Sequence, residues 1–313
     1  MKRAVIIGGG LVMTAVFVWL SMQWFHGRQM DAAFKRLLHS PGWIAAMTVG
    51  YGCSFWLKAV AWRLYVAREN EDRLRTYMYP LLVSLLVNHI LPVKLGDLAR
   101  TGMLARQSKV RFDDALHSVA MMRLLDMVSL LLIGSIGAIT LGLSVSPRFL
   151  LVMIVLGVVM LALAAWLSRK WKPFQRHFDR LWTTIRSRRG AAVALLTLAS
   201  WVLEGAVVYG VVHALNLQVG LLQAVWANSM TIAGQLFHVT PGGIGTYETT
   251  LTASLGLLGI AGSDGYTAAL LSHGYKFGFA YTAGAAALVL GAVSWRELKE
   301  WFGLKDRGRQ KKS

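Results

Sequence analysis

The sequence predicts an all-α integral membrane protein with about six full transmembrane helices plus two re-entrant helical hairpins in an inverted repeat. Three observations carry this expectation. First, 55% of the 313 residues are hydrophobic and 15% are charged, the mean hydropathy is +0.50, and the apolar residues come in long runs. That is far from the profile of a soluble enzyme. Second, the formal charge of +18 sits in short loops and tails between the runs, where Lys and Arg set topology and meet anionic headgroups. A nucleic-acid-binding face would need a soluble domain to carry it, so nucleic acid is excluded as a partner. Third, residues 91–100 (LPVKLGDLAR) and 240–248 (TPGGIGTYE) repeat one design, in which proline and glycine break a short apolar run and charge follows. Helices interrupted at matching places in two halves mark a transport site in a membrane protein.

The elements follow in order. Residues 4–25 form a first span, because about 22 largely apolar residues exceed a signal-peptide core and no small-residue cleavage site follows. Trp19 and Trp24 suit its interfacial end. Residues 26–40, with Arg28, Lys35 and Arg36, fit an interfacial helix. Pro41 opens a second span that runs to about Trp62, and a solvated loop at 63–75 alternates acid and base. The apolar stretch 76–90 covers only about 22 Å at 1.5 Å per residue. It cannot cross roughly 30 Å of hydrocarbon. It is therefore one arm of a hairpin (76–107) hinged at Pro92 and Gly96, and the other arm carries Asp97 and Arg100. A third span, capped by Asp113 or Asp114, extends to about Leu143 and closes a first repeat at 1–148.

The second repeat, 149–313, has a fourth span at about 149–167, a basic loop at 169–189 and a fifth span at about 191–215. A second hairpin at 221–260 is hinged at Pro241, Gly242, Gly243 and Gly245. A last span, capped by Asp264, ends near Trp295 before a basic cytoplasmic tail. Lys and Arg concentrate in the first three residues, 63–75, 94–111, 169–189 and the tail, which places both termini in the cytoplasm. The second repeat then starts from the opposite side of the membrane and is inverted. Cys53 is the one cysteine, so there is no internal disulfide and no Cys-based metal site.

Several ionisable groups fall at mid-membrane. Arg123 and Asp126 lie on one helical face, His273 and Lys276 repeat that spacing in the last span, and Glu204 sits at the centre of the fifth. At roughly 2.5–3.5 kcal/mol per central charge, Arg123, Asp126, Glu204 and Lys276 would together cost on the order of 10 kcal/mol against lipid. One account pairs Arg123 with Asp126 and Glu204 with Lys276 as internal salt bridges. The hairpins, however, add Asn88, Lys94, Asp97 and Arg100 from one side and Asn228, Gln235, His238 and Glu248 from the other. This is more polarity than bridges need, and a polar cavity for a charged headgroup is the preferred account. His89, His213 and His238 can instead hydrogen-bond within the core. No histidine spacing indicates a metal, and no cofactor is expected. Gly134 and Gly137 mark a close helix contact. The helix beginning after Gly245 should present free N–H groups which, with Arg100, Arg123 and Lys276, would attract a phosphate. Asp97, Asp126 and Glu248 would either hold a cationic headgroup or bind a coupling proton or ion.

LPVKLGDLAR, the R-x-x-D of MMRLLDM, and TPGGIGTYE, in this order, resemble the membrane domain of the lysylphosphatidylglycerol synthase family. This is the flippase half of the multiple peptide resistance factor, and it also occurs alone, including in hopanoid-biosynthesis-associated members. The resemblance implies a lipid translocase of the bacterial inner membrane. It puts the family's hairpin acid at Asp97, where glutamate is usual, the hairpin arginine at Arg100, the span arginine at Arg123 and the second-hairpin acid at Glu248. The soluble aminoacyl transferase domain of the best-known members has no counterpart in this sequence, so a lysyl-lipid substrate does not follow. The expected function is movement of a phospholipid-like lipid, with membrane lipids and lipid-synthesis enzymes as partners. There is no GxxxxGK[ST] loop for direct ATP use. Two alternatives remain: a membrane-embedded lipid-modifying enzyme using Glu248, Asp97 or His273 as acid or base, and a non-transporting partner of a hopanoid or glycolipid synthesis complex.

Overall fold

In a computed structural model of the chain, the described residues are 22–66, 73–91, 95–108, 110–143, 187–235 and 240–291. Most of the expected first span, the fourth span, nearly all of the basic loop at 169–189, the tail, and Pro92, Lys94 and His238 lie outside them. Every regular element among the described residues is helical. In chain order they are α1 (Gly27–Leu38), α2 (Pro41–Val66), α3 (Arg75–Ile90), α4 (Gly96–Gln107), α5 (Phe112–Thr140), α6 (Arg188–Glu204), α7 (Ala206–Ala214), α8 (Leu221–Gly234), α9 (Thr246–Leu257) and α10 (Gly262–Leu290).

Two length classes result. By length and composition α2, α5 and the continuous run Arg188–Ala214, which joins α6 and α7 across Gly205, can each cross a membrane. α5 leaves Leu131, Leu132, Ile136 and Ile139 on its outer face, as a lipid-facing helix does. α10 matches the 29 residues of α5 but carries His273 and Lys276. By contrast α3 has 16 residues, α8 has 14, and α4 and α9 have 12 each. The longest of these spans about 24 Å, short of the roughly 30 Å hydrocarbon core.

The short helices pair in sequence order. α4 folds back on α3 and α9 on α8, while α10 packs against both α3 and α9, and α2 against α6 and α7. The first pair depends on Gly96, because a β-carbon there would run into the Ser84 carbonyl and the Asn88 side chain. Instead the Gly96 amide donates to Asn88 Oδ1 at 2.9 Å and ties the two arms together. The order of hairpin then long helix thus occurs twice, as α3–α4–α5 and α8–α9–α10.

Two expected caps are not formed. Arg111 is the residue before α5, and Asp113 and Asp114 lie within its first turn, where they face the positive end of the helix dipole without capping it. Asp264 likewise lies in the first turn of α10 and accepts from Gln29 Nε2 at 2.8 Å, which ties α1 to α10. Residues 26–40 do contain a helix, which buries Ala33 and Leu37, one turn apart, and leaves Lys35 and Arg36 exposed. The close contact expected at Gly134 and Gly137 is made by α8, with Met230 against Gly134 and Trp226 against Gly137, and the Trp226 indole N–H donates to the Gly134 carbonyl at 3.1 Å.

Candidate functional site

The first hairpin places its charges against α5. Asp97 takes the Arg123 guanidinium side-on, with Nε at 3.0 Å from Oδ2 and Nη2 at 2.9 Å from Oδ1. This two-point geometry is the strong form of a carboxylate–arginine pair. Asp126, expected as the partner of Arg123, lies 3.7 Å from its Nη1 and accepts instead from Trp201 Nε1 of α6 at 3.0 Å. Asp97 comes from another helix and meets the guanidinium with both oxygens, and Asp126 is held by Trp201 instead. Arg100 is buried. It donates from Nη2 to the Val119 carbonyl at 3.3 Å and lies over the Trp62 ring. Its Nε is 3.2 Å from Asp97 but is not aligned for a hydrogen bond.

A second cluster joins α2, α6, α8 and α10. Glu204 accepts from Lys276 Nζ at 3.0 Å on one oxygen and from Lys58 Nζ at 2.8 Å on the other. Lys276 also donates to Asn228 Oδ1 at 2.9 Å, and Lys58 lies 3.6 Å from the centre of the Trp201 ring. Two ammonium groups therefore share one carboxylate in a buried position, and the Trp201 ring supplies part of the missing negative potential.

The third cluster is the tip of the second hairpin. Gly242 has φ of +62° and its carbonyl accepts from His273 Nε2 at 3.1 Å and Gln235 Nε2 at 3.4 Å. On its other side the imidazole meets Glu248 Oε1 at 2.6 Å, and Tyr247 stacks on the ring at 4.2 Å between centroids. Glu248 Oε2 accepts from the Gly245 amide at 2.7 Å. The start of α9 was expected to offer its N–H groups to a ligand. Instead a carboxylate from the helix's own first turn already occupies the Gly245 amide at that positive end.

The three clusters surround a cavity of about 160 Å³. Asn88, Arg100, Arg123, Asp126, Glu204, Gln235, Gly242, His273 and Lys276 line it, so most of the residues singled out in the sequence converge. Asp97 and Glu248 reach it through Arg123 and His273, and Asn228 through Lys276. Lys58, Tyr51, His89, Trp201 and Tyr247 also line it and were not proposed as site residues. Lys58 had a signal, being a charge inside an apolar run, but a lysine toward a span end is ordinarily read as snorkelling to the interface. His213, expected in the core, is held by the Tyr209 carbonyl and packs on Trp43. Among the described residues no group of three His, Cys, Asp or Glu side chains could hold a metal ion.

The profile of the family described as the lysylphosphatidylglycerol synthase TM region matches residues 5–284. The chain belongs to that family. Within this lysylphosphatidylglycerol synthase membrane-region family fold, the two hairpin motifs and the arginine between them meet at one cavity. The chain is also similar to the UPF0104 membrane protein MJ1078 of Methanocaldococcus jannaschii, at 23% identity over 199 residues, covering 59% of this chain and 85% of the relative. No solved structure matches. The chain is a membrane protein.

Proposed function

We propose that this protein is a lipid translocase. In this reading the headgroup of a phospholipid-like lipid enters the charged cavity while its acyl chains stay in the bilayer. The single observation that carries it is the convergence of both hairpins on a polar cavity in a membrane protein. Its volume of about 160 Å³ corresponds to about five waters at ~30 Å³ each. That is below the ~300 Å³ at which sites for drug-sized ligands begin. In this reading one hairpin moves aside to admit a whole headgroup, and the hairpins act as gates.

The proposed architecture is the inverted repeat 1–148 and 149–313, with two spans, a re-entrant hairpin and a third span in each half, in the inner membrane with both termini cytoplasmic. Arg123 is the headgroup contact, since its side chain is 37% exposed while those of Lys276 and Glu204 are at 4% and 5%. The protein acts as a carrier, with membrane lipid as its partner and no chemistry on the lipid.

Reconstitution in liposomes with leaflet-specific fluorescent phospholipids tests the reading. Wild-type protein should accelerate leaflet exchange and Arg123→Ala should abolish the acceleration while eluting as the same folded species. Exchange at the protein-free rate for anionic, zwitterionic, hopanoid and polyprenyl lipids would reject it.

A further inference from the structure

We infer that Glu248 and His273 together form a proton site at the tip of the second hairpin, and that this proton travels with one monoanionic phosphodiester headgroup. The inference rests on the translocase reading above and adds what drives the movement.

The argument begins with hydrogen-bond inventory. The Gly242 carbonyl can only accept, so His273 Nε2, at 3.1 Å, must carry a hydrogen. In a neutral imidazole the other nitrogen is then a bare lone pair. That nitrogen, Nδ1, faces Glu248 Oε1 at 2.6 Å, and the second carboxylate oxygen is committed to the Gly245 amide at 2.7 Å. Two lone pairs do not approach so closely, so one proton lies between Nδ1 and Oε1. Both contacts hold only when the pair has taken up that proton. Without it, either the carboxylate or the Gly242 carbonyl faces a lone pair, and one of the two imidazole contacts is lost. Protonation therefore adds the His273 contact to the one from Gln235 at the Gly242 carbonyl and tightens the tip.

The charges around the cavity give the proton its second effect. In the first cluster Arg100 and Arg123 are matched by Asp97 and Asp126. In the central cluster Lys58 and Lys276 face only Glu204, which leaves one positive charge over. Glu248 offsets that charge only while its pair is unprotonated. Once the proton is bound, the described residues around the cavity carry one net positive charge, the complement of a phosphodiester. The other groups facing the pair do not alter this. Tyr247 stacks on the imidazole and Tyr51 lies near Lys276, both as neutral phenols, and Gln235 is neutral. His89 of α3 directs Nδ1 to the Leu85 carbonyl. Loading is thus one proton plus one anion, which leaves the buried site neutral overall and lowers the cost of carrying it through a low-dielectric membrane.

Proteoliposomes with labelled phosphatidylglycerol and a trapped pH-sensitive dye provide the test. A pH gradient should drive the lipid away from its even leaflet distribution toward the alkaline side. One proton should appear per lipid moved, and reversing the gradient should reverse the direction. In Glu248→Gln and His273→Gln the final distribution should not respond to the gradient. Wild-type protein that moves lipid to the same distribution with and without a gradient, or with no proton appearing, overturns the inference while the translocase reading stands. If wild type moves no lipid, the translocase reading fails and the proton site is judged separately, by adding glycerophosphoglycerol to weakly buffered, detergent-solubilised protein. Uptake of up to one proton per headgroup bound, absent in both variants, supports the site, and no uptake by wild type overturns it.

Discussion

The two hairpins start from one sequence design and end in different electrostatic conditions. In the first, Asp97 and Arg123 form a two-point ion pair whose side chains are 26% and 37% exposed. In the second, Glu248 and His273 are each 4% exposed, stacked against Tyr247 and clamped to the hairpin's own backbone at Gly242 and Gly245. The first hairpin thus presents charge to the cavity, whereas the second encloses charge within itself. A less enclosed ion pair costs less to break, and buried ones are costly to break because a charge is left unpaired. The first hairpin therefore holds the more accessible charge and the second the more tightly enclosed one.

Four measurements test that contrast. The largest effect belongs to Glu204→Gln, which leaves Lys58 and Lys276 buried without their shared carboxylate. A loss of about 3–5 kcal/mol is expected, read from thermal unfolding in detergent. A loss under ~1 kcal/mol, the value of an exposed pair, would mean that the centre of the cavity is as wet as its Asp97 side. Asp97→Asn follows, at about 1.5–3 kcal/mol for hydrogen bonds to a charged group. It should lower stability less than Glu204→Gln because Arg123 and Asp97 are less enclosed than Glu204. Gly242→Ala is expected to cost about 1–3 kcal/mol for a non-glycine at positive φ, with a collision against Phe277 in addition. Its unfolding midpoint should fall, and a neutral result would show that the tip rearranges freely. Asp31→Asn removes the exposed pair with Lys35, where both side chains are more than 60% exposed. It should change stability by no more than about 0.5 kcal/mol, which sets the baseline for the other three.

Much of this site could be read from the residues. Arg123, Asp126, Glu204 and Lys276 stand out because a charge inside an apolar run has few stable places to go. Gly96 and Pro241 to Gly245 stand out because backbone breaks in such runs need a protein or water surround. Partner choice was not readable in the same way. Helical spacing joined Arg123 to Asp126, but the bidentate contact comes from Asp97, which the hairpin delivers across α5. Trp201 has no mark in the sequence pattern, yet its ring carries Lys58 and its N–H holds Asp126. Its role depends on α6 lying beside both α2 and α5, which no local pattern encodes.

By itself the sequence determined that the protein is helical, membrane-embedded and twice interrupted by polar hinges. Hydrophobic run length and the intolerance of lipid for bare backbone act locally and leave their mark residue by residue. Only the tertiary structure decided which charges pair, that Lys58 joins them, that Glu248 caps its own helix, and that the clusters surround a cavity of about 160 Å³. Those outcomes depend on distances between helices far apart in the chain. Within a few ångströms, such distances determine whether a buried charge is paired or left to a ligand.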